Sequence, residues 1–145
     1  MSRAVELAPA TPGDMPLIEA CVRRFRLDDE HLEAAQFIVA RSGGSVLGFG
    51  RIKPYGGGVF ELGCVGVLEE VRAQGVGRRL VEELVRRFPA RQVYITTDLP
   101  SYFERLGFRR AEHAPPEILA KIDRVCSRLR SGVVAMVREK AGDGQ

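Results

Sequence analysis

No stretch of the 145-residue chain approaches the run of about 20 apolar residues that a membrane-spanning helix needs. The opening "MSRAVELAPATPGD" has no apolar core of the kind that marks a secretory signal. A soluble, cytoplasmic protein is expected, with no membrane partner. Charge of one sign is also in short supply: 22 Lys and Arg against 19 Asp and Glu leave a net of +3, with the two signs interspersed. That balance gives no nucleic-acid surface and fits a small anionic ligand better. Cysteine is sparse, and Cys21, Cys64 and Cys126 are far apart with no CxxC, which excludes a disulfide framework and a zinc site. His31 and His113 add no metal-ligand spacing, so no metal is expected. Repeats and low-complexity segments are absent.

What remains is a chain with 45% hydrophobic residues, enough for one core and short for two. A single domain over 1–140 is expected, with 141–145 as a flexible tail. "RAVELAPA" reads as a strand and "TPGDMPLIEACVRRF" as a helix, with Asp14 as N-cap. "DDEHLEAA" reads as a short acidic helix. "QFIVARSGGSVLGFGRIKP" reads as two strands joined at Ser42-Gly43-Gly44, and "GGGVFELGCVGV" as a third that ends near Val67. Val76, Leu80, Val81, Leu84, Val85 and Phe88 recur at helical spacing. "QVYITT" is a strand, "LPSYFERLGF" a short helix stopped by Gly107, and residues 108–111 a strand. "PPEILAKIDRVCSRL" is helical and "GVVAMVRE" closes the chain as a strand. This order gives an α/β domain built on a partly antiparallel sheet flanked by helices.

The segment "RAQGVGRRL", residues 72–80, places two glycines and three arginines between a strand and a helix. A helix that starts near Gly75 leaves its first N–H groups unpaired and carries partial positive charge at that end, so an anion is favoured there. Glycines at 75 and 77 let a bulky anion approach the backbone, and Arg72, Arg78 and Arg79 add charge. No Gly-Lys-Ser/Thr follows, and Leu80 stands where a dinucleotide fingerprint has its third glycine. ATP and NAD are therefore poor candidates, and a phosphorylated ligand of another kind fits.

The stretch "VGVLEEVRAQGVGRRLVEEL" resembles the acetyl-CoA loop of the GNAT N-acetyltransferase superfamily, Gln/Arg-x-x-Gly-x-Gly/Ala at a helix start, through Arg72, Gly75 and Gly77. "SYFERLGF" is similar to the Phe-Tyr-x-x-x-Gly-Phe element of the same superfamily. The resemblance implies the GNAT fold, a single mixed and mostly antiparallel sheet flanked by helices. It also implies acetyl-CoA as co-substrate and direct acetyl transfer to a primary amine. The pyrophosphate would lie on backbone amides of Arg72, Ala73, Gln74, Gly75, Val76, Gly77 and Arg78, and pantetheine along Val65 and Val67. The N–H of Val65 would stabilise the oxyanion.

An amine must be neutral to attack, and α-amino and lysine amines are largely protonated near pH 7, so a base is required. Glu61 matches the family position of a glutamate base. Strict alternation puts it on one face with Gly63, Val65 and Val67, and the four residues from Glu61 to Val65 span roughly 13 Å, so a bulge or a water must shorten the path, and a water is expected. The other reading of Glu61 is a solvated glutamate or one paired with Arg51 or Lys53. The family's general-acid tyrosine is matched by Phe103, with Tyr102 one residue earlier, so thiolate departure is expected without a protein acid. "ELGCVGV", "YITTDLPSYFERLGF" and the C-terminal elements resemble small amino-acid N-acetyltransferases, including the acetyltransferase part of N-acetylglutamate synthase, and, less well, arsenic-resistance acetyltransferases. An amino acid such as glutamate would need a cationic clamp, for which Arg26, Arg51 and Lys53 are the candidates. A non-catalytic acyl-CoA-binding module and a protein-lysine acetyltransferase stay open as alternatives, as does a homodimer.

Overall fold

Gly43 and Gly44 take φ of 56° and 86°, the left-handed values that close a tight hairpin. They join β2 (Phe37–Ser42) to β3 (Ser45–Gly56), and β4 (Val59–Val67) returns beside β3. The computed structural model describes residues 4–72, 74–88 and 90–139. Ala73 and the expected tail at 141–145 lie outside the described residues. The remaining strands are β1 (Glu6–Pro9), β5 (Gln92–Thr97), β6 (Arg109–Arg110) and β7 (Val134–Glu139). They form one sheet in the order β1-β2-β3-β4-β5-β7-β6, antiparallel at every pairing except β4 with β5.

One helix covers each face. α1 (Met15–Arg24) lays Ile18, Cys21 and Val22 on Phe37, Val39, Phe49 and Cys64. α2 (Val76–Arg87) lays Val76, Leu80, Val81, Leu84 and Val85 on Ile38, Ala40, Leu62, Val93 and Ile95. Glycines in β3 allow the second contact: a Cβ on Gly50 would sit 2.9 Å from Leu84, and one on Gly48 3.1 Å from Leu80. The C-terminal half adds α3 (Pro100–Glu104), α4 (Pro116–Lys121), a π-helical turn (Ile122–Cys126) and α5 (Ser127–Leu129). Among the described residues, no helix is long and apolar enough to cross a membrane.

Three sequence expectations change. Asp14 does not cap α1. Its carboxylate accepts from the Thr11 N–H at 2.8 Å and from Arg41 at 2.5 Å, and the Arg41 hydrogen bond holds its pKa below the usual carboxylate value. "DDEHLEAA" is not a helix; only a 3-10 turn at Ala34–Gln36 forms, because Asp28 and Glu30 turn inward to buried cations. Strict alternation also fails along β4. Gly63 faces Arg51 and Gly66 faces Phe49, so Cys64 and Val65 together oppose Gly50 in a bulge, with Cys64 at φ 49°. Beyond the bulge the faces exchange: Glu61 does not share a face with Val65 and Val67. Cys64 packs on the α1 side, while Leu62, Val65 and Val67 pack on the α2 side.

Candidate functional site

β4 and β5 pair in parallel at Glu61 and Tyr94. Past that pair a cavity of about 610 Å³ opens, lined by β4 residues 62–67, by β5 residues 95–97 and by the start of α2. The splay follows from the bulge, since the extra residue bends β4 and breaks its ladder. At one end stand Gly75, Val76, Gly77 and Arg78. Gly75 holds φ at 82° as the residue that opens α2, a value costly for any side chain with a Cβ. Val65, Val67 and Arg72 also line the cavity, whereas Gln74, whose N–H donates to the Val71 carbonyl at 3.3 Å, lies outside the lining. Arg72 is a staple: its Nε donates to the Val67 carbonyl at 3.0 Å and its guanidinium lies 4.9 Å from the centre of the Phe25 ring. Arg79 points away and donates to the Val5 carbonyl.

At the other end, Thr96 connects the cavity with a buried polar cluster. Glu61, 2% exposed, accepts at Oε1 from Tyr55 at 2.6 Å and at Oε2 from Thr96 at 2.6 Å and Lys121 at 2.7 Å. Lys121 also donates to Thr96 Oγ1 at 2.7 Å and lies 3.4 Å from Asp28. Burial disfavours its ammonium, but the carboxylates of Glu61 and Asp28 outweigh this and raise its pKa above the usual lysine value. Burial together with the Glu61 charge and hydrogen bond raises the Tyr55 pKa strongly, so the phenol stays a donor. Burial pushes the Cys64 thiol up to about 12, and it donates to the Asp28 carbonyl, which makes it a packing thiol rather than a nucleophile. Glu61 therefore pairs with Lys121, not with Arg51 or Lys53. Among the described residues no group of His, Cys, Asp and Glu could hold a metal ion.

The expected carboxylate clamp is occupied elsewhere. Arg51, 1% exposed, donates to the carbonyls of His31 at 3.1 Å and Glu30 at 2.9 Å and to the side chain of Gln36 at 3.1 Å, with Asp28 Oδ2 at 3.2 Å. Lys53 binds Asp28 at 2.6 Å and Glu30 at 3.1 Å. Arg26, at φ 56°, donates to the Leu129 carbonyl at 2.8 Å. None of the three lines the cavity. They fasten the segment after α1 to the sheet and to the C-terminal helical segment, aided by Glu30 with Arg124 and Asp29 with Arg128. Burying so many charges is tolerable because each meets an opposite partner and further hydrogen bonds.

Tyr102 and Phe103 both line the cavity, edge to face with ring centroids 5.0 Å apart. Tyr102 directs its hydroxyl to the loop end: a Cβ on Gly77 would lie 3.1 Å from it. Phe103 also stacks edge-on against Phe108. Sequence reasoning missed Asp28, Tyr55, Thr96, Lys121 and Arg130. Lys121 carried a readable signal, as a charge three positions after Ile118 and so on the same face of a helix that must pack. Arg130 also lines the cavity and is paired with Asp98 at 2.9 Å.

Residues 6–108 match the family described as "Acetyltransferase (GNAT) family". A relative from Chlorobaculum tepidum, an uncharacterized N-acetyltransferase, is 27% identical over 155 residues, covering 86% of this chain and 99% of the relative. The fold is similar to that of N-acetylglutamate synthase from Neisseria gonorrhoeae, solved with coenzyme A and N-acetyl-glutamate, at TM-score 0.80 and 22% identity. That likeness covers 98% of this chain and 36% of the synthase, so the chain spans well under half of that enzyme's length. It is also similar to Rv2747 from Mycobacterium tuberculosis, solved with CoA, at TM-score 0.75 and 21% identity, over 94% of this chain and 99% of the other.

Proposed function

The chain belongs to the acetyltransferase (GNAT) family and is an acetyl-CoA-dependent N-acetyltransferase; we propose that its acceptor is the primary amine of a small molecule, an amino acid such as glutamate. The observation that carries this reading is one continuous cavity that runs from the opening of α2 to Thr96, with Glu61 behind it. Acetyl-CoA supplies the thioester. The amides of Gly75, Val76, Gly77 and Arg78 would meet its pyrophosphate, with Arg72 holding the loop in place; Gln74 and Ala73 complete the proposed segment. The edge of β4 at Val65 and Val67 would pair with pantetheine.

In this reading the bulge presents the Val65 N–H toward the cavity, where it would stabilise the oxyanion of the tetrahedral intermediate. Glu61 is the base. Three hydrogen bonds fix its carboxylate, and with neither oxygen lining the cavity the proton must reach it through an intermediary. Phe103 has no proton to give and the Tyr102 hydroxyl lies at the loop end, so the thiolate leaves without a protein acid, as a thiol pKa near 8.5 permits. With Arg51 and Lys53 committed to Asp28 and Glu30, Arg130 is the arginine placed to meet an acceptor carboxylate. The acetylglutamate-bound neighbour accords with such an acceptor.

The occupancy of both Glu61 oxygens favours one other reading, a module that binds acyl-CoA without turning it over. Calorimetry with CoA, followed by thiol release from acetyl-CoA against the amino acids, small polyamines and lysine-bearing peptides, separates the two. Thiol release with a free amino acid is expected. CoA binding without release from any amine establishes the binding module, and release with peptides alone overturns the small-molecule acceptor.

A further inference from the structure

We propose that the Thr96 hydroxyl carries the acceptor's proton from the cavity to Glu61. The proposal rests on the reading of Glu61 as base and names the group that connects it with the substrate. Among the described cavity-lining residues, Thr96 alone is bonded to the Glu61 carboxylate; Tyr55 and Lys121, its other partners, do not line the cavity. β5 alternation explains the placement. Val93 and Ile95 face the α2 core, so Tyr94 and Thr96 face the opposite side, where the bulge in β4 has left Glu61.

Hydrogen-bond chemistry fixes the direction of the chain. A hydroxyl has one hydrogen and two lone pairs, and a charged ammonium can only donate. Lys121 Nζ, 2.7 Å from Thr96 Oγ1, therefore takes one lone pair, and the Thr96 hydrogen goes to Glu61 Oε2 at 2.6 Å. The second lone pair meets only the thiol of Cys126 at 3.6 Å, a weak donor that an incoming N–H displaces. When the acceptor binds as its ammonium, an N–H proton passes to Thr96 Oγ1 while the Thr96 hydrogen passes to Glu61 Oε2. One N–H bond and one O–H bond break, two O–H bonds form, and the electron pair left on nitrogen is the one that attacks the thioester carbon. Threonine is regenerated, and Glu61 holds the proton until the products leave.

The charged and titratable groups around this pair come from every element packed on it. Arg51, Lys53 and Tyr55 approach from β3, Cys64 from β4 and Tyr94 from β5. Asp28 and Glu30 approach from the segment after α1, and Lys121, Arg124 and Cys126 from the C-terminal helical segment. Most are locked in ion pairs, and of the hydroxyls of this cluster, Tyr55, Tyr94 and Thr96, it is Thr96 that lines the cavity.

The test uses the whole chain and the fastest amine of the panel described above, with saturating acetyl-CoA, for Thr96→Val, Thr96→Ser and Glu61→Gln. Thr96→Val should lower kcat at pH 7 by roughly 10²-fold or more, with CoA affinity by calorimetry unchanged, while Thr96→Ser stays within about fivefold of the wild type. The Thr96→Val loss should shrink as pH rises past the pKa of the acceptor amine, because a neutral amine needs no relay; a purely structural role has no such rescue. If Glu61→Gln loses its rate and Thr96→Val does not, the relay is overturned and Glu61 stands. If Glu61→Gln also keeps its rate, the reading of Glu61 as base falls with it. Should Thr96→Val lose CoA affinity, an equal loss in Thr96→Ser refutes the relay.

Discussion

Replacing Asp28 with asparagine preserves shape and removes one charge from the centre of the network that fastens the segment after α1. Its Oδ2 faces Lys53 at 2.6 Å, Arg51 at 3.2 Å and Lys121 at 3.4 Å, and Oδ1 accepts the Glu30 N–H at 2.8 Å. Burial works against the Asp28 carboxylate, yet Lys121, Lys53 and Arg51 more than offset it and bring its pKa from 3.8 down to about 2. At 1.36 kcal/mol per pH unit, that depression stabilises the native state by about 2.5 kcal/mol near neutrality. Removing one partner of a buried ion pair costs about 3–5 kcal/mol in general, and asparagine, which retains hydrogen bonding, belongs at the lower end.

The sign of the pH dependence follows from the depressed pKa. Between pH about 4 and 2 the unfolded chain binds the Asp28 proton and the native state does not, so wild-type stability falls through that window as pH falls. Asp28→Asn cannot show this part of the decline. The gap between wild type and variant should therefore be full at pH 5 and above and nearly closed by pH 2. Glu30 and Glu83 are also depressed to about 2, Glu30 chiefly by its Arg124 hydrogen bond and Glu83 by that of Arg86. Both titrate in either protein, and Glu30 differs between the two only through the Lys53 it shares with Asp28, so the difference reports chiefly on Asp28. Urea unfolding at several pH values measures it, and a midpoint drop of roughly 1–2 M at pH 7 is expected. A gap below about 1 kcal/mol, or one equally large at pH 2.5 and pH 7, refutes the assignment of Asp28 as the counter-ion of three buried cations.

Four further outcomes are expected. Gly77→Val sets a branched side chain about 3 Å from the Tyr102 hydroxyl and into the cavity, and should abolish CoA binding in calorimetry with the circular dichroism spectrum retained; unchanged affinity refutes the loop assignment. Gly75→Ala has open space but keeps φ at 82°, so it should cost about 1–2 kcal/mol in thermal unfolding, and a neutral effect shows that the loop relaxes. Tyr102→Phe and Phe103→Tyr should each change kcat only a few-fold under saturating acetyl-CoA, and a drop of about a hundredfold in Tyr102→Phe makes Tyr102 the acid. Arg130→Gln should raise KM for an amino acid by roughly tenfold with kcat nearly kept, and an unchanged KM removes Arg130 from acceptor binding.

The sequence by itself determined the layers of the fold and the glycine loop that opens α2 at one end of the cavity. Those signals are local: glycines at fixed offsets, apolar periodicity from Val76 to Val85, and β-branched runs such as "QVYITT" depend on residues within a turn or two of each other. Tertiary structure alone decided the buried polar cluster at the other end of the cavity. The bulge at Cys64 and Val65 is an inequality of length between two strands, visible only once β3 is laid beside β4, and it moved Glu61 to the opposite face from Val65. Asp28 and Glu30 read as helix-forming acids until Arg51 and Lys53, some 20 residues on, supplied cations that no solvent-facing helix could satisfy. Lys121 meets Glu61 across 60 residues of chain. A buried charge must find its counter-charge wherever folding brings one, and that partner lies beyond the reach of any local pattern.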